Sequence, residues 1–341
     1  MQDQDIADLV TTTLKDLGRG SFEQIAQDLQ QYEVMSKWLK KDRVTFDTGI
    51  GIQKTLMDKM ATSAQHVGLF EEDVVNIEDV LTTMNITWRQ AQTYWAYERR
   101  EMLRNKGSAR ILNIITPRRL AAMLGLAATL EDKAWASPAA DNEVDPYGIP
   151  YWIVKNASDG FNGGAPAGHT TVAGVNLTTH PNFKNYAFTF TAISKASAIA
   201  KMRIAALTTN FVSPVSSPEN RNQISDKYRI YTDMTNYLAF SDIGEGQNEN
   251  LGRDIASMDG TVMFHRNPIV WIPKLDADTT HPIYMINHGT FYPVVYKGDY
   301  MYEHDPILLP NRHNTWAVWT DLSYQYLCVD RRRNAVGYST A

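Results

Sequence analysis

"RVTFDTGIGI", residues 43–52, decides the reading of this chain. Val44, Phe46, Thr48, Ile50 and Ile52 fall on one side of an alternating run, and Arg43, Thr45, Asp47, Gly49 and Gly51 on the other, which is the pattern of a strand. A second alternation follows in "MNITWRQ", with Met84, Ile86 and Trp88 on one face and Asn85, Thr87 and Arg89 on the other. The two runs pair in expectation as a long hairpin. Between them, "FEEDVVNIEDV" (Phe70 to Val80) is too long for a tight turn, so the hairpin tip projects from the body. A nine-residue strand spans about 30 Å, and a two-stranded ribbon of that reach is marginal alone. Its apolar face needs a cover.

Outward from the hairpin, the chain before it reads as a polar arm in which Ile6, Val10, Leu14 and Leu17 recur at helical steps. After it, Thr116-Pro117 opens a helix over 117–134 whose face carries Leu120, Met123, Leu124, Ala127, Leu130 and Ala134, about 27 Å long. If "SARILNII" (108–115) is helical as well, Pro117 marks a kink. Residues 141–185 are rich in Gly, Pro, Asn and Asp and read as an inserted surface loop. Then come a second helix with Ile199, Met202, Arg203 and Ala206 on one side, a linker "SPVSSPENRNQ", a strand "KYRIYTDM", a short helix near Thr235 to Phe240, and a strand pair "TVMFHRNPIVWIP". The remainder is aromatic and strand-rich. The fold class is α+β.

Composition sets limits. With 341 residues, 43% of them hydrophobic, the chain can bury a sizeable core, and a net charge of -5 argues against a general nucleic-acid binder. One cysteine, Cys328, excludes an internal disulfide framework and thiolate-rich metal sites. The opening "MQDQDIADLV" lacks the features of a secretory signal, and the longest apolar run, "LAAMLGLAATL", is too short for a membrane span, so a soluble cytoplasmic product is expected. Charge is nevertheless segregated. Residues 1–35 hold seven acidic and two basic side chains, whereas 98–119 hold seven basic ones against Glu98 and Glu101. Such blocks are solvated faces or complementary surfaces that steer subunits together.

No catalytic motif is complete. "SDGFNGGAPAGHTT" (158–171) has the glycines of a phosphate loop but no G-x-x-x-x-G-K-[ST] spacing and no lysine ahead of a helix. His304, Asp305 and His313 are the nearest approach to a metal set, and their spacing does not bring them together. Cys328 sits in an apolar run and reads as a buried small hydrophobe. Trp316, Trp319, Tyr324 and Tyr326 suit a sheet core or a partner anchor better than a stacking platform. No catalytic residue, cofactor or metal is expected. The alternative reading is a hydrolase or carbohydrate-binding protein that uses the glycine-rich loop with His169, or these C-terminal aromatics.

Taken in order, arm, projecting hairpin, long helix, second helix and strand-rich return resemble the major capsid proteins of tailed bacteriophages, with the HK97-like capsid fold. "GTVMFHRNPIVWIP" followed by "PIYMINHGTFYPVVYKGDYM" resembles that family's A-domain pattern. "DLSYQYLCVDRRRNAV", "PYGIPYWIVKNASDGFNGGAPAGHT" and "TFDTGIGI" resemble a podovirus-like group within it. The resemblance implies an N-terminal arm at 1–43, a β-hairpin E-loop at 44–100, and a P-domain at 101–224 with its spine helix and the 141–185 insertion. It implies further an A-domain at 225–311 and a C-terminal return to the P-domain at 312–341. It implies a structural protein of the virion, assembled in the host cytoplasm as pentamers and hexamers of an icosahedral shell, with a portal, a separate scaffolding protein and weakly, non-specifically held double-stranded DNA as partners and no membrane. Expected inter-subunit contacts are Phe46, Ile50, Ile52, Ile86 and Trp88 on the hairpin, Arg99 and Arg100 behind it, and Arg331, Arg332 and Arg333 as a clamp on carboxylates. The family's lysine to asparagine crosslink finds no motif, although Lys54, Lys59 and Asn334 are chemically eligible.

Overall fold

The alternating run at 43–52 does not form one strand. In a computed structural model, which describes residues 32–47, 49–60, 64, 66–69, 79–104, 115–140, 142, 144–210, 228–248 and 262–340, the run is divided between two sheets. A π-helical segment, Val34–Asp42 (α1), leads into Val44–Phe46 (β1) and then Gly51–Met57 (β2). Between them the chain turns at Gly49, whose φ of 114° is a region that glycine tolerates and L side chains rarely adopt. Alternation records which face each residue takes, and a change of pairing partner leaves it intact.

The elements that follow are Leu81–Thr87 (β3), Arg89–Glu98 (β4), Arg99–Arg104 (α2), Ile115–Ala134 (α3), Ile149–Trp152 (α4), Gly160–Gly163 (β5), Asn185–Phe190 (β6), Ala198–Thr209 (α5), Tyr228–Thr232 (β7) and Met234–Asn248 (α6). Then come Met263–Phe264 (β8), Asn267–Trp271 (β9), Ile283–Asn287 (β10), Phe291–Tyr296 (β11), Tyr302–Glu303 (β12), Ile307–Leu308 (β13), Thr315–Cys328 (β14) and Ala335–Ser339 (β15).

Among the described residues three sheets result. β2 and β3 form a two-stranded ribbon in register from Gly51 opposite Thr87 to Met57 opposite Leu81. A six-stranded sheet is organised on β14: β4 runs antiparallel along one side from Thr315 opposite Glu98 to Tyr324 opposite Arg89, while β11, β12 and β13 occupy the other and β1 joins β11. The third has the order β5-β6-β15-β10-β7-β9-β8. Of the 44–100 segment, then, only 51–57 and 81–87 pair with each other as a ribbon, and 44–46 and 89–98 belong to the body. Strands from 225–311 are shared between the two larger sheets, β7 to β10 in one and β11 to β13 in the other.

α3 begins two residues before the expected position and runs for 20 residues, about 30 Å. Leu126, Ala127, Leu130 and Ala134 are its buried stripe. α6 is longer than the short helix expected near 235–240. The His265-Arg266 pair, both at positive φ, makes the tight turn between β8 and β9. The arm residues Ile6 to Leu17, the acidic connector 70–78, most of "SARILNII" and the 213–223 linker lie outside the described residues.

Period-two alternation in the seven-stranded sheet serves two cores. In β10, Tyr284 and Ile286 face one apolar cluster, and Ile283 and Met285 face the other. The second cluster packs α5, through Ala198, Met202 and Ala205, against Phe188, Phe190, Ile230 and Met285. The first is centred on Trp38 of α1, whose ring lies 5.2 to 5.9 Å from those of Trp135, Tyr231, His288, Phe291 and Tyr326. One tryptophan thereby fastens the segment that enters the body to the C-terminal end of α3 and to both large sheets.

Candidate assembly surfaces

The hairpin is built in two halves. At its base Ile52 (2% exposed), Met84 and Ile86 (1%) are buried in the first core together with Val172, Ala173, Val175 and Leu177. Asn85 N donates to Ala173 O at 3.0 Å, Asn182 Nδ2 donates to the Asp58 carbonyl at 2.6 Å, and the His180 ring Nδ1 meets the Asp58 carboxylate. The chain's own 164–183 segment thus lies under the ribbon. This corrects the expectation that Ile52 and Ile86 wait for a neighbour, and equally the reading of 141–185 as a surface loop. Phe46 and Trp88 are half-buried, Trp88 donating from Nε1 to Gly49 O at 3.1 Å, and only Ile50, at 98%, remains uncovered among the five apolar contacts expected there.

Within 158–171, Gly163 has a physical reason. Gly160–Gly163 is the edge strand β5, and a Cβ on Gly163 would stand 1.9 Å from Asn185 Oδ1, so the residue permits close approach of two strands. His169 Nε2 lies 3.0 Å from Pro138 O. The stretch is framework.

Beyond the base the ribbon is bare. Met57, Met60 (83%), Val67, Leu69 (91%) and Leu81 are all exposed. Sequence reading missed them because Met57, Met60 and Leu69 break the alternation, and an apolar residue outside a pattern carries no face. Next to them in sequence stand Glu71, Glu72, Asp73, Glu78 and Asp79. The described residues of the far end are therefore apolar and exposed, and the sequence beside them is acidic.

The basic run behind β4 divides in the same manner. Arg118 makes a two-pronged bridge to Glu101, at 2.7 and 2.9 Å, and Arg119 reaches Glu303 at 2.6 Å. Burial draws the Glu101 carboxyl upward, but the bonds from Arg118 and the Glu98 backbone hold it below its ordinary range. Arg99 and Arg100 instead point to solvent, Arg100 3.6 Å from Glu98, beside exposed Leu103.

The C-terminal arginines are reassigned. Arg331 has no exposure: its guanidinium donates to Trp152 O, to Phe183 O at 3.0 Å, to Gly164 O at 2.9 Å and to Asn185 Oδ1 at 3.0 Å. Burial lowers its pKa to about 10. Arg333 is buried 3.4 Å from Asp330, and Arg332, half-exposed, lies over the Phe161 ring. A clamp on a neighbour's carboxylates is unavailable to Arg331 and Arg333, because the turn at 331–333 is tucked under β6 and the 164–183 segment. Asn334, with no exposure, is bound internally through Asn287 N, Thr290 Oγ1 and Asp330 O, out of reach of a neighbour's lysine.

Other candidates are likewise internal. Tyr324 and Tyr326 are core residues, and burial pushes the Cys328 thiol far above its ordinary range, which disfavours the thiolate. His304 pairs with Asp321 at 2.7 Å. Among the described residues no three His, Cys, Asp or Glu side chains are grouped to hold a metal ion, and no helix is long and apolar enough to cross a membrane.

No protein-family model matches the chain, and no curated protein matches it in sequence. Solved structures do match. The capsid asymmetric unit of cyanophage A-1(L) superposes with a TM-score of 0.58 at 13% identity, covering 96% of this chain and 98% of that one. The capsid of a native GTA particle gives 0.56 at 11%, covering 95% and 96%, and the capsid of Myoviridae phage XM1 gives 0.54 at 12%, covering 96% and 97%. At such identities the likeness establishes a shared α+β fold.

Proposed function

We propose that this chain is a major capsid protein of a tailed phage, copies of which close into an icosahedral shell around double-stranded DNA. The observation that carries this reading is the extent of the match: nearly all of this chain aligns with nearly all of each capsid protein, so no part is left over for a separate active domain. The reading includes an HK97-like arrangement with N-arm, E-loop, spine-helix P-domain and A-domain, the podovirus-like affiliation, pentamers and hexamers, and a portal and separate scaffold as partners. The virion is the site of action, the host cytoplasm the site of assembly. The packaged DNA is held weakly, in keeping with the net charge of -5.

The hydrolase or carbohydrate-binding alternative loses its supports, because the glycine-rich stretch is framework and Tyr324 and Tyr326 are core. What a shell needs from a subunit is surface. The bare tip of the hairpin supplies apolar area that its own body does not cover. Its acidic flank finds charge complement in Arg99 and Arg100 of an adjacent copy. Burying the tip's five large apolar side chains contributes about 1 kcal/mol each or somewhat more, weak singly and sufficient when repeated around a closed lattice.

Electron microscopy of the purified full-length protein tests the proposal. Shells, rings or capsomers are expected; a monomer that persists at high concentration with and without scaffold overturns it.

A further inference from the structure

The first core contains a polar cluster that the shell reading does not use. Glu131, on α3, is buried beneath the start of α1. Its two oxygens accept from Val34 N and from Trp135 Nε1, both at 2.9 Å and both neutral donors. Glu33, the residue before α1, is buried beside it, but that carboxylate has cations: Lys37 at 2.8 Å and Arg229 at 3.9 Å. Arg229 also meets Asp42 at 3.1 Å, at the far end of α1. From β7, the Tyr231 hydroxyl donates to Glu33 Oε1 at 3.3 Å, accepts from Trp38 Nε1 at 2.9 Å, and lies 2.8 Å from His288 Nε2 on the β10–β11 turn. Tyr326 of β14 completes the wall.

We propose that Glu131 is a proton-operated latch, which docks residues 33–42 onto the spine helix and the seven-stranded sheet by taking up a proton, and lets them go as the proton is lost. Two carboxyl groups share one apolar pocket, and the cations present are committed to Glu33 and Asp42. The group that can give up its charge at least cost is Glu131, whose donors, the Val34 and Glu33 amides and the Trp135 indole, are all uncharged. Burial, followed by the neighbouring charge of Glu33, raises its pKa to about 7 from an ordinary 4.5. When 33–42 lifts away, Glu131 meets water and returns toward 4.5. Docking therefore binds up to one proton between these values. For a carboxyl raised in the docked state, the stabilisation is complete below the lower value, falls by up to about tenfold in equilibrium constant per pH unit, and is gone above about 7. This inference stands independently of the shell reading, since it concerns one chain and its own N-terminal root.

Hydrogen exchange of the amides of 34–42, corrected for intrinsic rate and followed from pH 5 to 8.5 on the full-length protein, tests it. Protection is expected to fall by about 40-fold between pH 5 and 7, and by about a further twofold before it levels off near pH 8. In Glu131→Gln, protection at pH 8 should match that of the parent at low pH and lose its dependence, whereas His288→Asn should keep the slope. An infrared carbonyl band of a buried carboxylic acid, present at pH 6 and absent at pH 8.5, supplies a readout that needs no variant. Flat protection in the parent, a slope that follows His288 instead of Glu131, or absence of the acid band at pH 6 overturns the proposal.

Discussion

The two ends of one hairpin follow opposite rules. At its base Ile52 and Ile86 are sealed into the chain's own core, while at its tip Met60 and Leu69 stand in solvent. The residues are alike in hydrophobicity, so the difference lies in what the fold puts beneath them. Segment 164–183 covers the base and stops there. On the proposed function, one ribbon is divided between two tasks: the root belongs to folding, and the far end is left for a neighbour.

That division can be broken experimentally. The largest effect is expected from Ile86→Ala at the base, which deletes fully buried methylenes and should lower the unfolding free energy by about 2–4 kcal/mol in denaturant titrations. Slightly smaller is Arg331→Met, which strips three carbonyls and one amide oxygen of their donor at a cost of about 2–3 kcal/mol, against about 0.5 kcal/mol or less for Arg332→Met, one residue on in the same tripeptide. If both arginine variants cost the same, the assignment of Arg331 to the interior is wrong.

Asp58→Asn weakens the tie between ribbon and body at His180 and should cost about 1 kcal/mol, seen as faster hydrogen exchange in 51–57. At the small end, Met60→Asp with Leu69→Asp should change subunit stability by no more than about 0.5 kcal/mol yet abolish shells in micrographs. Arg99→Glu with Arg100→Glu should also leave the melting curve unmoved while reducing shell yield, with high salt producing the same loss in the parent. Unchanged yield in the tip variant erases the proposed function of the tip and leaves the base intact.

Much of the candidate surface was legible one side chain at a time, and much was not. Arg99 and Arg100 are exposed, as either reading of their basic run, solvated face or steering surface, requires. Arg331 looked the same in the sequence and is the opposite in space. A run of three arginines advertises a surface, and nothing local signals that Trp152, Phe183 and Gly164, 148 to 179 residues away or thereabouts, will offer it carbonyls. The glycine-rich stretch misled for a related reason: its composition is that of a loop, but Gly163 is there to let β5 meet Asn185 of β6.

Periodicity and end signals along the chain were enough to locate α3, part of the ribbon's second strand, the β8–β9 turn and the α+β class, because these depend on interactions between residues a few positions apart. Which strand each one paired with, where the run at 43–52 broke, and which apolar faces were already covered depended on contacts between residues from tens to hundreds of positions apart. Burial is a property of the neighbour as much as of the side chain, and the neighbour is chosen only when the whole chain has folded.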